Sequence, residues 1–458
     1  MATTSEFQLY SFLWIIVCSL CFFIFRRNRE YASGLILMFL VFYLGDYGLQ
    51  GFLHAIPLER AQITSVDSTE IILLGFRHST IALVSFFIGA VFVSPMTRTI
   101  VQGITLRNIT AKLDDEYKGY LHEKVDPTSL SFVYVFIGIL VYFVISPLFR
   151  SVPTLNTAIG ALYNFLPIGL IIGLSNRATS VRSKILVFFY IILIVAWPMI
   201  SVIRDGFLGF GLTPVLIVGI FFVTRSRNLL FTILFSSLMG YIVFSLAISY
   251  FSNRANIRNV VWSNSGLDQN IQAFNDQIIG DFKLFNILDV NQLRLIDGRL
   301  TLNYYTGLSI IRIESGNVEL VYGQSFADAL VAIVPRALWP EKPTIAGGSD
   351  RISYFTGLYF AGGSSFAIGI VMEMYVNFGL TGTIIGFLIL GILLELLSDL
   401  AENALRYQRY SLFSLIMISG LSFTLVGNDF SFILANSISS LITVWFVNSV
   451  FIALKNKL

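Results

Sequence analysis

Eleven stretches of about twenty residues run almost without charge along this 458-residue chain. A helix of that length, rising about 1.5 Å per residue, crosses the roughly 30 Å hydrocarbon core of a bilayer. The stretches lie near 8–25, 33–54, 71–93, 130–148, 157–174, 185–203, 206–224, 229–250, 380–398, 411–427 and 432–453. They are continuous rather than alternating, which excludes a β-barrel. The expected fold is an all-α polytopic membrane protein. Composition agrees, since 55% of the residues are hydrophobic and only 12% are charged, against about 25% charged in a soluble domain. The net charge of +3 gives no basis for nucleic-acid binding.

The connecting loops set the direction. Arg26, Arg27 and Arg29 follow the first span, and Arg98, Arg107, Lys112, Lys118 and Lys124 lie between the third and fourth. Arg177, Arg182 and Lys184, then Arg225 and Arg227, Arg406 and Arg409, and Lys455 and Lys457 continue the alternation, placing 17 lysines and arginines on one side. The short loops opposite hold only Arg60, Arg150 and Arg204. The positive-inside rule then puts the N-terminus outside and the C-terminus inside. The first run lacks a basic leader and a small-residue cleavage site, so it reads as a retained span. Cys18 and Cys21 within it read as lipid-compatible side chains rather than a redox or metal pair.

Residues 1–250 thus carry spans one to eight, residues 251–379 a large external loop with short helices, and residues 380–458 the last three spans. Between 251 and 365 the loop has nine basic and ten acidic residues with many aromatics, so it should fold and pack down on the membrane.

Ionisable groups inside spans cost about 2.5–3.5 kcal/mol each and mark functional cavities. Here they are Asp46, Arg77, His78, Arg204, Asp205 and Asp429, all in the external half, which suggests a water-filled cavity opening outward beneath the loop. The plainer readings are that Arg77 snorkels to headgroups, that Asp46 pairs with Arg77, and that His78 is a packed histidine.

In the loop, Pro335-Arg336-Ala337-Leu338-Trp339-Pro340-Glu341-Lys342-Pro343 is the most distinctive segment. Its prolines stiffen a non-helical corner. Arg336 and Lys342 beside an indole suit an anionic, sugar-bearing ligand, because guanidinium forks match phosphate oxygens. The alternative is a turn whose charges face water. From Ser365 to Asp399 no strong helix breaker occurs, yet 35 helical residues would span about 52 Å. A break is therefore expected near Gly379 and Gly382, with the external piece dipping inward and carrying Glu373 and Tyr375. Glu373 there serves either as a general base or as a hydrogen-bonding pin for the loop.

Ile333-Val334-Pro335 through Pro343, and Glu373-Met374-Tyr375-Val376-Asn377-Phe378-Gly379 followed by Gly382, resemble the hallmark segments of the O-antigen and exopolysaccharide polymerases of the Wzy type. Ser201-Val202-Ile203-Arg204 is similar to that family's Ser/Thr-x-x-Arg start. The resemblance implies a GT-C-like membrane fold in a bacterial inner membrane and a metal-independent, inverting glycosyltransferase without cofactor. Undecaprenyl-diphosphate-linked oligosaccharide repeat units would be its substrates, membrane lipids its surroundings and a chain-length regulator protein a further partner. It assigns catalytic roles to Arg204, Arg336 and Glu373, the arginines holding the diphosphate. Arg254, Arg258, Arg294 and Arg351 are further candidates, with Arg77, Asp46, Trp339, Lys342 and Tyr375 on the substrate side.

The chain departs from related ligases in having no loop histidine: only His54, His78 and His122 occur. Glu373, Asp350 or a cavity carboxylate would have to serve as base. A ligase is accordingly disfavoured. A flippase or transporter of lipid-linked glycan is the alternative from another class, although the internal repeats of such proteins are not visible here.

Overall fold

A computed structural model describes residues 2–26, 31–56, 66–93, 126–149, 159–160, 162–175, 181–263, 266–334, 339, 341–342, 347–360 and 366–455. Among these residues every regular element is helical. Nine of the described helices are long and apolar enough to cross a membrane: Thr4–Phe25, Leu35–Ala55, Ser68–Val93, Pro127–Leu148, Lys184–Asp205, Leu208–Arg225, Leu229–Trp262, Ile370–Arg406 and Phe430–Leu454. The other two expected spans fall on the shorter apolar helices Phe165–Ser175 and Tyr410–Ser422. The chain is a multi-pass helical membrane protein.

Contacts at the helix ends sort them into two faces. The buried Arg26 guanidinium donates to the Ser226 carbonyl at 2.5 Å and to Thr232 Oγ1 at 2.8 Å. Ser33 and Ser398 hydroxyls meet at 2.7 Å, and Arg406 lies over the Tyr31 ring. One face therefore gathers the ends of the first, seventh and ninth expected spans, as the alternation of basic loops requires. On the other face, which the large loop occupies, His54 Nε2 meets Asp297 Oδ1 at 3.1 Å and the Trp262 indole donates to the Asp205 carbonyl at 3.2 Å.

One expected boundary moves, and the expected break in the ninth span falls at Gly379. The helix beginning at Leu229 does not stop at 250 but runs to Trp262. Its 34 residues would reach about 51 Å, and Asn253, Arg254, Asn256 and Arg258 make its last turns polar, so it projects past the hydrocarbon into the loop. The ninth expected span is the long arm of Ile370–Arg406, which breaks at Phe378 (φ −139°, ψ 17°) and Gly379 (φ 64°, ψ −156°). Only glycine adopts that second conformation cheaply. A straight helix would put Met374 and Gly386 about 18 Å apart. Instead the Met374 side chain packs on Gly386 and Phe378 on Gly382, so the short arm folds sharply back onto the long one.

The loop does more than lie on the membrane. Helix Leu302–Glu314 runs against Ser68–Val93 at backbone contact: a Cβ on Gly75 would strike the Asn303 carbonyl, and one on Gly307 the Ile71 carbonyl. At its deep end Asn303 Nδ2 donates to the Tyr47 carbonyl at 2.7 Å, while its Oδ1 accepts from Ser79 Oγ at 3.2 Å. Tyr47 lies two turns below the end of its own helix, so the loop is built into the bundle, not laid over it. Buried amide groups need such partners where water is scarce. Gly307→Ala overpacks this contact and is expected to cost about 1–3 kcal/mol, read as a lowered melting temperature in detergent; an unchanged value would mean the wedge is loosely seated.

Beneath the wedge Trp14, Tyr43 and Phe76 form an aromatic stack, with Trp14 donating to Thr80 Oγ1 at 2.9 Å and Tyr43 to the Ser79 carbonyl at 2.7 Å. Cys21 is buried and Cys18 half-buried in the same apolar surroundings, both as free thiols.

Candidate functional site

The loop face carries two groups of charge on separate elements. The first is built around the turn Asp205-Gly206-Phe207. Gly206 takes φ 70°, which ends the Val181–Asp205 helix and leaves carbonyls without helical donors. Those carbonyls are met from the projecting helix: Trp262 donates to Asp205, and Tyr250 (2.6 Å) and Arg258 Nε (3.2 Å) donate to Gly206. Arg258 also lies 4.0 Å over the Phe207 ring and 5.1 Å over Trp262. Arg254, one helical turn earlier, shares its face. Arg299 comes from a third segment, fixed by the bonds of Asp297 to His54 and Gln50, and lies over Phe251 at 5.5 Å.

These three guanidiniums feel one another. Removal from water, and then the charges of Arg254 and Arg258, hold Arg299 below its ordinary value. Among the described residues no carboxylate forms an ion pair with any of the three. A cluster of like charges left uncompensated costs folding energy unless an anion completes it.

Arg204 stands at the start of the same turn. Its guanidinium covers Tyr142 at 4.0 Å and Phe143 at 5.5 Å, with Asp205 Oδ2 at 3.6 Å. Tyr142 donates to that carboxylate at 2.5 Å. Arg204 is thus fixed in direction by aromatic faces and only partly neutralised.

The second group is the segment Glu373–Gly379. Glu373 is fully buried; its Oε2 accepts from the Phe430 backbone at 2.6 Å and its Oε1 from Arg351 Nη1 at 3.4 Å. Arg351 Nη2 in turn reaches Asp328 at 2.8 Å. Asn377 donates to Ser325 Oγ (2.8 Å) and to the Glu373 carbonyl (2.7 Å), and accepts from the Gly323 backbone (2.9 Å). Backbone bonds from Val321 to Val376 and from Tyr322 to Asn377 extend the joint. The segment therefore ties the loop stretch 321–328, the helix Gly348–Thr356 and the start of the last span into one knot. Of the two readings of Glu373, this geometry favours the pin over the base.

The remaining candidates fall as follows. Arg77 does not pair with Asp46. It bonds Glu6 at 2.7 Å with both side chains 42% exposed, while Asp46 lies against the backbone of Gly427. None of the six intramembrane charges lines the roughly 590 Å³ cavity beside the kinked helix, whose walls are apolar; Asp429 caps the last helix through the Phe432 amide (3.0 Å) and His78 Nδ1 meets the Leu74 carbonyl (3.0 Å). Tyr375 donates to Glu314 Oε1 at 3.2 Å and meets the His78 ring edge-on. Asp350 caps its own helix through the Gly347 amide. Lys342 Nζ donates to the Ala332 and Val334 carbonyls, each at 2.9 Å, at the end of helix Gln324–Ile333. Trp339 is 39% exposed, and Arg294 lies exposed on helix Val290–Asp297. Arg336 lies outside the described residues, as do the basic residues between 98 and 124. An exposed pair such as Arg77–Glu6 contributes at most about 1 kcal/mol. Arg77→Ala is therefore expected to leave thermal stability within a few degrees of the parent; a large drop would show that this end of the bundle depends on the pair.

Arg299, Asp297, His54, Asp328 and Glu314 were not singled out from the sequence. His54 and Asp297 are separated by more than two hundred residues, and Arg299 has no motif around it.

A helical bundle that spans a membrane many times, with a loop wedged into one face and arginines gathered at its turns, is the class of protein these observations define. Residues 97–456 match the model of a family described as Domain of unknown function (DUF8712), and the chain belongs to that family. No curated protein and no solved structure matches it.

Proposed function

We propose that this protein is a polymerase of lipid-linked glycans, acting at the external face of the membrane on undecaprenyl-diphosphate-linked repeat units. The observation that carries the reading is the group Arg254, Arg258 and Arg299, set around the turn that Arg204 opens and lacking any carboxylate partner among the described residues. In the reaction, a hydroxyl of the incoming unit attacks the anomeric carbon of the growing chain. The bond from that carbon to the diphosphate oxygen breaks, and the hydroxyl proton passes to a base or to the departing phosphate. Negative charge grows on the leaving group, where preoriented guanidiniums stabilise it most. Arg336 is assigned the same role by its motif. The knot at Glu373–Gly379 supports the reading by holding the loop against the spans.

The broken helix at Phe378–Gly379 is the one feature that favours transport, since carriers use interrupted helices. Reconstitution separates the two. Proteoliposomes given undecaprenyl-diphosphate-linked units and no added divalent metal are expected to produce a ladder of longer glycans, abolished by Arg336→Ala in protein that still inserts. Movement of the units across the bilayer without any elongation would replace the polymerase with a transporter.

A further inference from the structure

Between the loop helices Leu267–Phe274 and Val290–Asp297 the chain runs without regular structure from residue 282 to 286. The stretch around it turns five large apolar side chains outward: Ile279, Phe282, Leu284, Ile287 and Leu288 stand between 45% and 73% exposed. In water such a patch invites association. Its place in the fold gives it other surroundings.

Backbone bonds to two serines fasten the stretch to the spanning helix Leu229–Trp262. The Lys283 amide donates to Ser249 Oγ at 2.9 Å and the Phe285 amide to Ser245 Oγ at 3.1 Å, while Phe285 stacks on Phe244 at 5.2 Å. Both serines are buried. Each hydroxyl also donates back along its own helix, Ser245 to the Tyr241 carbonyl and Ser249 to the Ser245 carbonyl. Gln292 Nε2 donates to the Leu284 carbonyl at 3.2 Å, and its Oε1 accepts from the Asn286 amide at 2.8 Å. Non-helical backbone needs protein partners of this kind at a depth where water is scarce.

The serines set that depth. The helix starts at Leu229, just after Arg225 and Arg227, and Ser245 and Ser249 lie about 24 and 30 Å along it, within a hydrocarbon core of about 30 Å. Tilting the helix brings them deeper. A second ruler agrees, for the turn Asp205-Gly206-Phe207, where two other spans meet, is bonded by Tyr250 and Arg258 from above the serines. Just below the serines, Leu238, Tyr241 and Ile242 of the same span are exposed, so the five apolar side chains prolong a band that already faces lipid. Asp281 and Lys283 lie among them, which keeps the stretch at the boundary between headgroups and acyl chains. A lysine stem can lie along apolar surface while its ammonium reaches the polar layer.

We infer that residues 279–288 form a finger that inserts into the membrane leaflet on the loop side, its apolar side chains among the upper carbons of the acyl chains. The leaflet is the occupant because the finger lies at bilayer depth and continues the exposed face of a span. Through the helix Val290–Asp297 the finger leads directly to Arg299, so its seating sets the height of that guanidinium above the acyl chains. The insertion stands whether or not the loop handles glycans.

The test uses the full-length protein in nanodiscs of phosphatidylcholine and phosphatidylglycerol, with Cys18→Ala and Cys21→Ala removing the native thiols. One nitroxide spin label is placed at Leu288→Cys, at Leu284→Cys or at Ser315→Cys. Ser315 is exposed at the far end of the helix Leu302–Glu314, whose other end is the deep one. Oxygen concentrates in hydrocarbon and a polar nickel chelate is excluded from it, so the ratio of their collision rates with the label should be about tenfold higher at Leu288→Cys and Leu284→Cys than at Ser315→Cys. Equal ratios at the three positions would place the finger in water and overturn the inference. Poor access for both reagents would overturn it too, by showing that protein covers the finger; a second copy of the chain is then recognised by restored access when each nanodisc holds one molecule. Wild-type protein gives an independent reading if a labelled variant inserts poorly. Phosphatidylcholine carrying a diazirine near the head of its acyl chain should label the peptide 279–288 and spare the one around Ser315. Labelling that misses 279–288 would likewise end the inference.

Discussion

Glycan elongation by the Arg254→Gln, Arg299→Gln double variant is expected to fall roughly 100- to 1000-fold or more, with the melting temperature of the empty protein unchanged or raised. A donor aimed at charge developing in a transition state is worth about 3–4 kcal/mol when removed from a poorly solvated site. Stability should move the other way. The three guanidiniums repel one another, Arg254 and Arg299 have no carboxylate partner among the described residues to lose, and relieving repulsion favours the folded chain. Arg254→Lys should recover part of the rate, since it keeps the charge and loses the planar fork. Initial rates in proteoliposomes and melting curves in detergent supply both readouts. A variant that melts early and loses activity in proportion would mark the cluster as structural.

Glu373→Ala is expected to be the most destabilising single change in the loop, by about 3–5 kcal/mol, because it leaves the Arg351 guanidinium buried without its inner partner. The Phe430 amide loses its acceptor in the same step. Glu373→Gln keeps an oxygen for that amide and removes only the charge, so it should cost less. The pair of variants separates pin from base. A pin predicts that Glu373→Gln retains elongation to within a few-fold in whatever fraction folds. Full stability with elongation abolished would return Glu373 to the chemistry.

Much of the architecture was legible from hydropathy. Each expected apolar run falls on an apolar helix, because a segment with nearly no charge has no low-energy alternative in contact with lipid. The break in the ninth span was also readable, since its length exceeds the bilayer and Gly379 is available to turn it. The pairing of charges was not. Asp46 and Arg77 invite each other on paper, yet Glu6, from a helix with little other charge, reaches Arg77 first.

The loop shows the limit most clearly. Its aromatic and charged composition indicates that it folds, but not that Asn303 descends to the level of Tyr47 or that Glu373 is sealed beneath Phe430. Local sequence determined the apolar helices and the glycine at the kink, since each depends on residues a few positions apart. Only the tertiary structure decided which arginines meet, which carboxylates are spent as pins and where a cavity opens. Those outcomes depend on contacts between segments hundreds of residues apart, as with His54 and Asp297, and a buried polar group takes whatever partner the packing brings within about 3 Å of it.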